Sequence, residues 1–329
     1  MMNTVQLAQR FPWPGKLGFS EDRAALLAVA EQLDAEEVEQ QLVARVKSIY
    51  FQIAYLDRAL VVMRQTRELL RDFLEAASAM YGVGDALQQD VLQAQVSVAQ
   101  MTEDITVAEQ NRLAMAARLN ALLGRPATSP VSALELPEPG GVLASVDSMM
   151  ALAAASRPAL RAARQRVNAA EAGYRAGRRM LYPDFTLMVQ YGQRPDFPDL
   201  ATFMVGVSIP IWAGSSPRDE AQAVQVMERS KELELYNETF AQIAELRAEA
   251  ERARSLAGLY ATSILPQARA AVESAMSAYR VGRVDYMTLL ANEMTVNRYR
   301  IESVRLTAEY HRAVAQAAAI VGAELEGLQ

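Results

Sequence analysis

Few residues in this sequence are able to do bond-making chemistry, and their types restrict what that chemistry is. One histidine, His311, and no cysteine supply no triad and no zinc ligand set. His311 lies in an alanine-rich stretch and reads as a surface or packed residue. Met149 and Met150 suggest a soft-metal pair, but the fifteen methionines are scattered, and packing filler is the better reading of these two. No glycine-rich phosphate loop occurs. Neither an enzyme nor a cofactor nor a bound metal is expected. What remains is electrostatic. Asp85, Asp90, Arg283 and Asp285 gather beside two glycine-containing turns, where grouped carboxylates would attract cations and hinder anions. Taken one at a time, each reads better as a charge on a solvated helix face.

Those two turns are copies of one another. YGVGDALQQDVL (Tyr81 to Leu92) and YRVGRVDYMTLL (Tyr279 to Leu290) align at an offset of 198 residues, with Tyr, Val, Gly and the final Leu in register. The same ungapped offset pairs Pro12 with Pro210 and Gly124 with Gly322. A repeat of this length means two copies of a whole supersecondary unit.

Composition bounds the class. At 329 residues the chain is 51% hydrophobic but only 7% aromatic, and alanine is abundant, which favours long, closely packed helices. A net charge of -6 argues against a nucleic-acid partner. No run of about 18 apolar residues exists, so no transmembrane helix is expected. The opening MMNTVQLAQRF has neither the charged nor the apolar region of a secretory signal.

The elements follow in order. Val5, Leu7, Phe11 and Trp13 alternate with Gln6, Ala8 and Arg10, a strand ended by Pro12, Pro14 and Gly15 and blemished by Gln9. Ser20 to about Ala79 lacks proline and glycine and reads as one helix of about 90 Å. A second helix, Ala86 to Leu123, stops at Gly124, and the short connection makes the pair antiparallel. A Pro-, Ser- and Gly-rich connector leads to a short helix at 147–155. Ser156 suits the N-cap of the next helix, with Pro158 in its first turn, running to about Met180. A long helix from Ser216 to about Val281 carries Pro266, which should bend it. The last helix ends near Val321.

Between these helices lies a hairpin. Phe185, Leu187, Val189 and Tyr191 alternate with polar or small residues, and so do Phe203, Val205, Val207, Ile209 and Ile211. Each arm has about the 9 to 11 residues that cross a bilayer as a tilted strand. Lipid outside and water inside fit this pattern; so does a sheet packed on a soluble core. A soluble scaffold of two coiled-coil hairpins is the competing function, and it should lack this hairpin.

The order of motifs resembles the TolC-like outer-membrane efflux proteins, the outer membrane factors. QRFPWPGK (Gln9 to Lys16), RP (Arg157, Pro158), YPDF (Tyr182 to Phe185), VGVSIPIW (Val205 to Trp212) and the two turn motifs carry the resemblance over nearly the whole chain. PWPGK and YPDF look most like the heavy-metal and cation efflux branch.

The resemblance implies a mainly α fold in which long antiparallel hairpins form a trimeric periplasmic α-barrel, with a few strands sharing one outer-membrane β-barrel. Residues 1–124 form the first repeat, 125–156 an equatorial connector, 157–322 the second repeat with its hairpin at 184–212, and 323–329 a tail. Family members contribute four strands per subunit where three are legible here, so an upper helix, a strand and a signal sequence are expected upstream of residue 1. The implied function is a passive exit duct in a tripartite efflux system. Its implied partners are two further copies, outer-membrane lipid, a periplasmic adaptor and an inner-membrane pump.

Tyr81, Gly82, Val83, Gly84, Tyr279, Val281 and Gly282 would dock the adaptor; as plain turn residues they need no partner. Asp85, Asp90, Arg283 and Asp285 would set charge and gating at that end, with six carboxylates from Asp90 and Asp285 in a trimer. Val5, Leu7, Phe185, Leu187, Val189, Phe203, Val205, Val207 and Ile209 would face lipid. The acidic positions often found after the second turn motif in the family are Thr288 and Ala291 here.

Overall fold

A run of more than sixty residues without a helix breaker has one low-energy solution, and the chain takes it. The computed structural model describes residues 3–84, 86–194, 198–209, 216–281 and 283–325. In order the elements are β1 (Asn3–Phe11), α1 (Lys16–Gly82), α2 (Gln88–Leu122), α3 (Val146–Ser156), α4 (Pro158–Arg179), β2 (Asp184–Gln193), β3 (Leu200–Ser208), α5 (Ser216–Leu259), a π-helical turn (Tyr260–Ile264), α6 (Leu265–Arg280) and α7 (Tyr286–Val321).

The offset of 198 residues is visible in the element ends. α1 stops at Gly82 and α6 at Arg280, while α2 starts at Gln88 and α7 at Tyr286. Gly124 and Gly322 both take left-handed φ, +66° and +75°, to close their helices.

Four expectations are corrected. α1 begins at Lys16, not Ser20, because Gly15 at φ +89° turns the chain directly into its first hydrogen bonds, Phe19 N–H to the Gly15 carbonyl among them. β1 ends at Phe11 and β3 at Ser208, short of Trp13 and Ile209; Pro210, Ile211 and Trp212 lie outside the described residues. The N-cap of α4 is Arg157, not Ser156, with Pro158 at the first helical position. The long helix 216–281 is not one α-helix: the turn before Pro266 widens into π geometry. That is a route by which a helix absorbs a missing N–H without a sharp kink.

Two compact units divide the chain, Met1–Val38 with Ala153–Thr239 and Glu39–Leu152 with Phe240–Gln329. The first holds an antiparallel sheet in the order β1-β2-β3. Its helices are joined by charge and by small residues. Glu37 of α1 accepts from Arg157 Nη2 and from the Ala159 N–H, both at 3.2 Å, and so caps the start of α4. Arg157 Nη1 donates to Thr239 Oγ1 at 2.7 Å. Ala162 packs on Ala30 and Leu33. At Gly177 α4 and α5 are nearly in backbone contact, since a Cβ there would stand 2.9 Å from the Pro217 carbonyl oxygen and 3.2 Å from Ala221 Cβ.

In the second unit α2 runs back along α1, with Arg64 reaching Glu109 at 2.7 Å and Arg112 paired to Asp57. One buried cluster joins four helices: Leu70 and Phe73 of α1, Met101 and Ile105 of α2, Ala275 of α6, and Leu289 and Leu290 of α7. Thr66 donates to Asn297 Oδ1 at 2.9 Å inside the α1–α7 contact. Side chains strap the connector to the helices. Asn120 donates to the Ser129 carbonyl at 2.8 Å, Asp57 accepts from the Leu134 N–H at 3.0 Å, and Tyr310 donates to the Gly141 carbonyl at 3.0 Å. His311 is buried, stacked on Phe51 and 3.0 Å from the Pro137 carbonyl oxygen. Met149 and Met150 are also buried.

The close approach at Gly177 generates a paired test. Gly177→Ala should lower stability by about 1 to 3 kcal/mol, the usual cost of overpacking. Gly258→Ala meets nothing within 4 Å and should raise stability by about 0.5 to 1 kcal/mol. Thermal melts followed by helical circular dichroism check both; equal melts for the two variants would contradict the packing.

Candidate functional site

Two features stand out from the rest of the surface, one in each compact unit. The first is a face of the sheet. Directly opposed residues in antiparallel strands share a face, and the register pairs Val5 with Tyr191, Leu7 with Val189 and Phe11 with Phe185. On the other side of β2, Phe185 pairs with Val207, Leu187 with Val205 and Val189 with Phe203. The eight expected lipid-facing residues within the strands therefore lie on one face, interrupted by Gln9, and Leu7 and Val205 are each 74% exposed. Ile209, one residue past β3, is exposed too. The opposite face carries Gln6, Ala8, Arg10, Thr186, Met188, Gln190, Thr202, Met204, Gly206 and Ser208. So large an apolar patch on a lone surface marks contact with a partner or a membrane. Strands of 9, 10 and 9 residues have bilayer-crossing length. No described helix is long and apolar enough to cross a membrane.

Where the strands give way to helix, one carboxylate gathers the chain. Asp184, buried at the start of β2, accepts from Arg10 Nη2 and Lys16 Nζ, each at 2.6 Å, and from the Trp13 N–H at 3.0 Å. Lys16 Nζ also donates to the Tyr182 carbonyl at 2.9 Å. The Trp13 ring stacks on Tyr182 and Phe185, 5.3 and 6.1 Å between centroids. Sequence reading gave Asp184 no role beyond its place in YPDF; the available signal was a lone acid between Pro183 and an apolar run.

The second feature is the pair of turns in the other unit. Tyr81, Gly82, Val83 and Gly84 are exposed, and so are Val281 and Arg283; Val83 is 74% and Val281 66% bare. Gly84 needs its freedom, since its φ is +87°. Asp85 and Gly282 lie outside the described residues. The structure brings the two turns together through Tyr279, half-buried, whose hydroxyl donates to Met80 Sδ at 3.3 Å.

Of the three carboxylates placed here by the sequence, the two described ones, Asp90 and Asp285, cap helices. Asp285 accepts from the Thr288 N–H at 2.9 Å and from the Thr288 hydroxyl, bonds that hold its carboxyl below the usual range and keep it charged at neutral pH. Asp90 accepts from the Leu87 N–H at 3.4 Å.

Tyr286 went unremarked in the sequence. It is buried between Phe73 and Tyr279, its hydroxyl has no partner among the described residues, and burial, followed by Tyr279 and Asp90, pushes that hydroxyl up to about 12. Among the described residues no cluster of three or more His, Cys, Asp or Glu could hold a metal ion.

The model of the family described as outer membrane efflux protein matches residues 1–125 and 149–323. The chain belongs to the outer membrane efflux protein family. No curated protein matches this efflux protein in sequence. Solved structures do match it in fold. The outer membrane protein VceC from Vibrio cholerae superposes with a TM-score of 0.82 at 14% identity, over 99% of this chain and 87% of that one. The open state of the Neisseria gonorrhoeae MtrE outer membrane channel gives 0.80 at 16%, over 99% and 81%. The Campylobacter jejuni CmeC outer membrane channel gives 0.76 at 12%, over 98% and 77%. An outer-membrane efflux channel component, with a mainly α fold of long hairpins and a small sheet, is thus the reading that replaces a soluble scaffold.

Two tests follow for this efflux protein. Val207→Arg on the apolar face should impair membrane insertion by about 2 to 4 kcal/mol near the bilayer midplane, whereas Ser208→Arg on the polar face should be mild. Outer-membrane yields after urea extraction compare them, and equal tolerance would overturn the face assignment. Tyr286→Phe removes a buried hydroxyl that has no partner, so stability should rise by about 1 kcal/mol. In the unaltered protein this phenol stays protonated when folded, while an unfolded tyrosine ionises near pH 10. Titration of this phenol therefore leaves stability unchanged below about pH 10 and lowers it as pH climbs from there through about 12. Tyrosinate absorbance should lose its highest-pH step in Tyr286→Phe.

Proposed function

We propose that the protein works as a homotrimer whose sheets close into one outer-membrane β-barrel and whose helical hairpins enclose a passive duct reaching into the periplasm. Backbone groups at a sheet edge have no water to satisfy them in lipid, so strands survive there only in a closed ring. Closure by identical copies satisfies those edges by symmetry. The paired turns are the docking end, where Val83 and Val281 offer apolar knobs beside small glycines to the hairpin of a periplasmic adaptor. Transport energy comes from an inner-membrane pump, and the duct itself catalyses nothing.

Asp85, Asp90, Arg283 and Asp285 colour the entrance electrostatically. In a trimer Asp90 and Asp285 recur three times each, and carboxylates around one axis favour cations over anions. The cap at Asp285 supports this reading, because its bonds from the Thr288 hydroxyl and N–H hold that carboxyl in place and below the usual range. The first and second sequence repeats, 1–124 and 157–322 with connector 125–156, then supply one hairpin each to the duct wall.

The observation that carries the proposal is the pairing of two exposed valines on two turns related by the internal repeat. A Val83→Asn, Val281→Asn double variant changes only bare side chains and adds no charge. Trimer yield and single-channel conductance should be unchanged, while efflux-dependent resistance should fall to the level of cells lacking the channel. Full resistance in that variant would show that the turns do not touch an adaptor.

A further inference from the structure

Many arginines on these helices answer to an acid one turn away or on the facing helix. Arg71 pairs with Glu68, Arg254 with Glu251, Arg305 with Glu302 and Glu309, and Arg64 with Glu109. Arg45 of α1 and Arg118 of α2 do not. Both are exposed, and neither forms a hydrogen bond or an ion pair with any described residue. None of the residues three or four places from either one is acidic, so no helical pairing is open to them. In a chain with more acids than bases, two guanidiniums left without a carboxylate mark their surroundings.

They rim a groove of about 470 Å³ between α1, α2 and α7. Ala44, Ile49, Ala121 and Leu122 give it an apolar floor, with Gln316 of α7 alongside. The Ser48 hydroxyl also belongs to this wall, buried and without a partner among the described residues. A buried hydroxyl in that state costs stability until an acceptor or donor meets it.

We propose that this groove is a binding site for an anionic amphiphile, a compound with an apolar body and one carboxylate, sulfate or sulfonate group. Its volume lies within the range of small-molecule sites, about 300 to 1,000 Å³. The apolar body lies on the floor, and the planar forks of Arg45 and Arg118 take the headgroup oxygens. Ser48 supplies a further donor. A neutral compound of the same shape gains only the floor, so charge decides the preference.

Helix geometry places the groove. Asp57 of α1, Arg112 and Asn120 of α2, and Tyr310 and His311 of α7 hold the connector. At about 100° per residue, Ser48 stands about 180° round α1 from Asp57. Arg118 is likewise about 120° round α2 from Arg112, and Gln316 about 120° round α7 from Tyr310. The groove therefore lies on the face of these helices turned away from the connector. A connector of such bulk, repeated in three chains, fits outside a ring rather than in its bore, so the groove borders the duct. This placement rests on the duct proposed above, and a ligand seated there in each chain narrows the bore.

The test uses the full chain in neutral detergent, with anilinonaphthalene sulfonate as the probe and phenylnaphthylamine as its uncharged counterpart, both followed by fluorescence. One saturable sulfonate site per chain is expected above the micelle background. Arg45→Gln with Arg118→Gln should weaken it by at least about tenfold and leave phenylnaphthylamine binding unchanged. Arg67→Gln with Arg71→Gln replaces two arginines that pair with Glu68 and should leave the sulfonate site intact. Equal loss in both double variants, or no saturable sulfonate binding, overturns the site. Planar-bilayer conductance separates the groove from the duct. Block of the unaltered channel, but not of the Arg45→Gln, Arg118→Gln channel, supports both. A conducting channel that the bound sulfonate does not slow overturns the placement on the duct side. Sulfonate binding through the two arginines in a protein that does not conduct sustains the groove and overturns the duct.

Discussion

The chain must pass from one solvent to another within a few residues, and a buried carboxylate anchors the place where it does. Asp184 binds the end of β1 through Arg10, the start of α1 through Lys16 and the turn between them through the Trp13 N–H. A buried charge is costly unless it is paired and hydrogen-bonded. Here three donors converge on two oxygens, so the acid cannot leave without leaving Lys16, itself mostly buried, short of a partner. The aromatic stack of Trp13, Tyr182 and Phe185 adds an apolar wall beside it. Sheet and helices are thereby set at one joint, and the apolar face begins at the residue after Asp184.

Much of this architecture was legible because it rests on periodicities. The alternation of Leu187, Val189, Val205 and Val207 is a property of strands alone, and cross-strand register puts all of them on one face. Helix existence and the places of the turns were equally plain from glycine and proline. Less legible were features set by tertiary partners. Ser156 is a better capping residue than Arg157 by intrinsic preference, yet the start of α4 is capped by Glu37 from another helix. Nothing local to residue 157 announces a carboxylate 120 positions earlier. Tyr286 was missed for the same reason, since its environment comes from Phe73 and Tyr279.

The turns show the limit of reading charge from a string. Asp90 and Asp285 are conspicuous as acids near glycines, and structure gives each a second occupation as a helix cap. At Asp285 capping and electrostatic attraction are compatible, because the bonds from Thr288 hold that carboxyl below the usual range. The burial around them separates the two copies. Leu70 and Phe73 of α1 are buried in the shared core, but the residues 198 positions on are Ala268 and Ala271.

The π-helical turn gives that difference a geometric meaning. A π turn takes up roughly one more residue per turn than an α turn, so the stripes along α6 are out of phase with those along α5. α1 passes the equivalent level as unbroken α-helix. Positions matched by sequence on opposite sides of Tyr260–Ile264 therefore point in different directions about their helix axes in the two copies. Two hairpins descended from one pattern become inequivalent walls: in the proposed ring of three chains, six hairpins would alternate between a thick-set stave and a lean one.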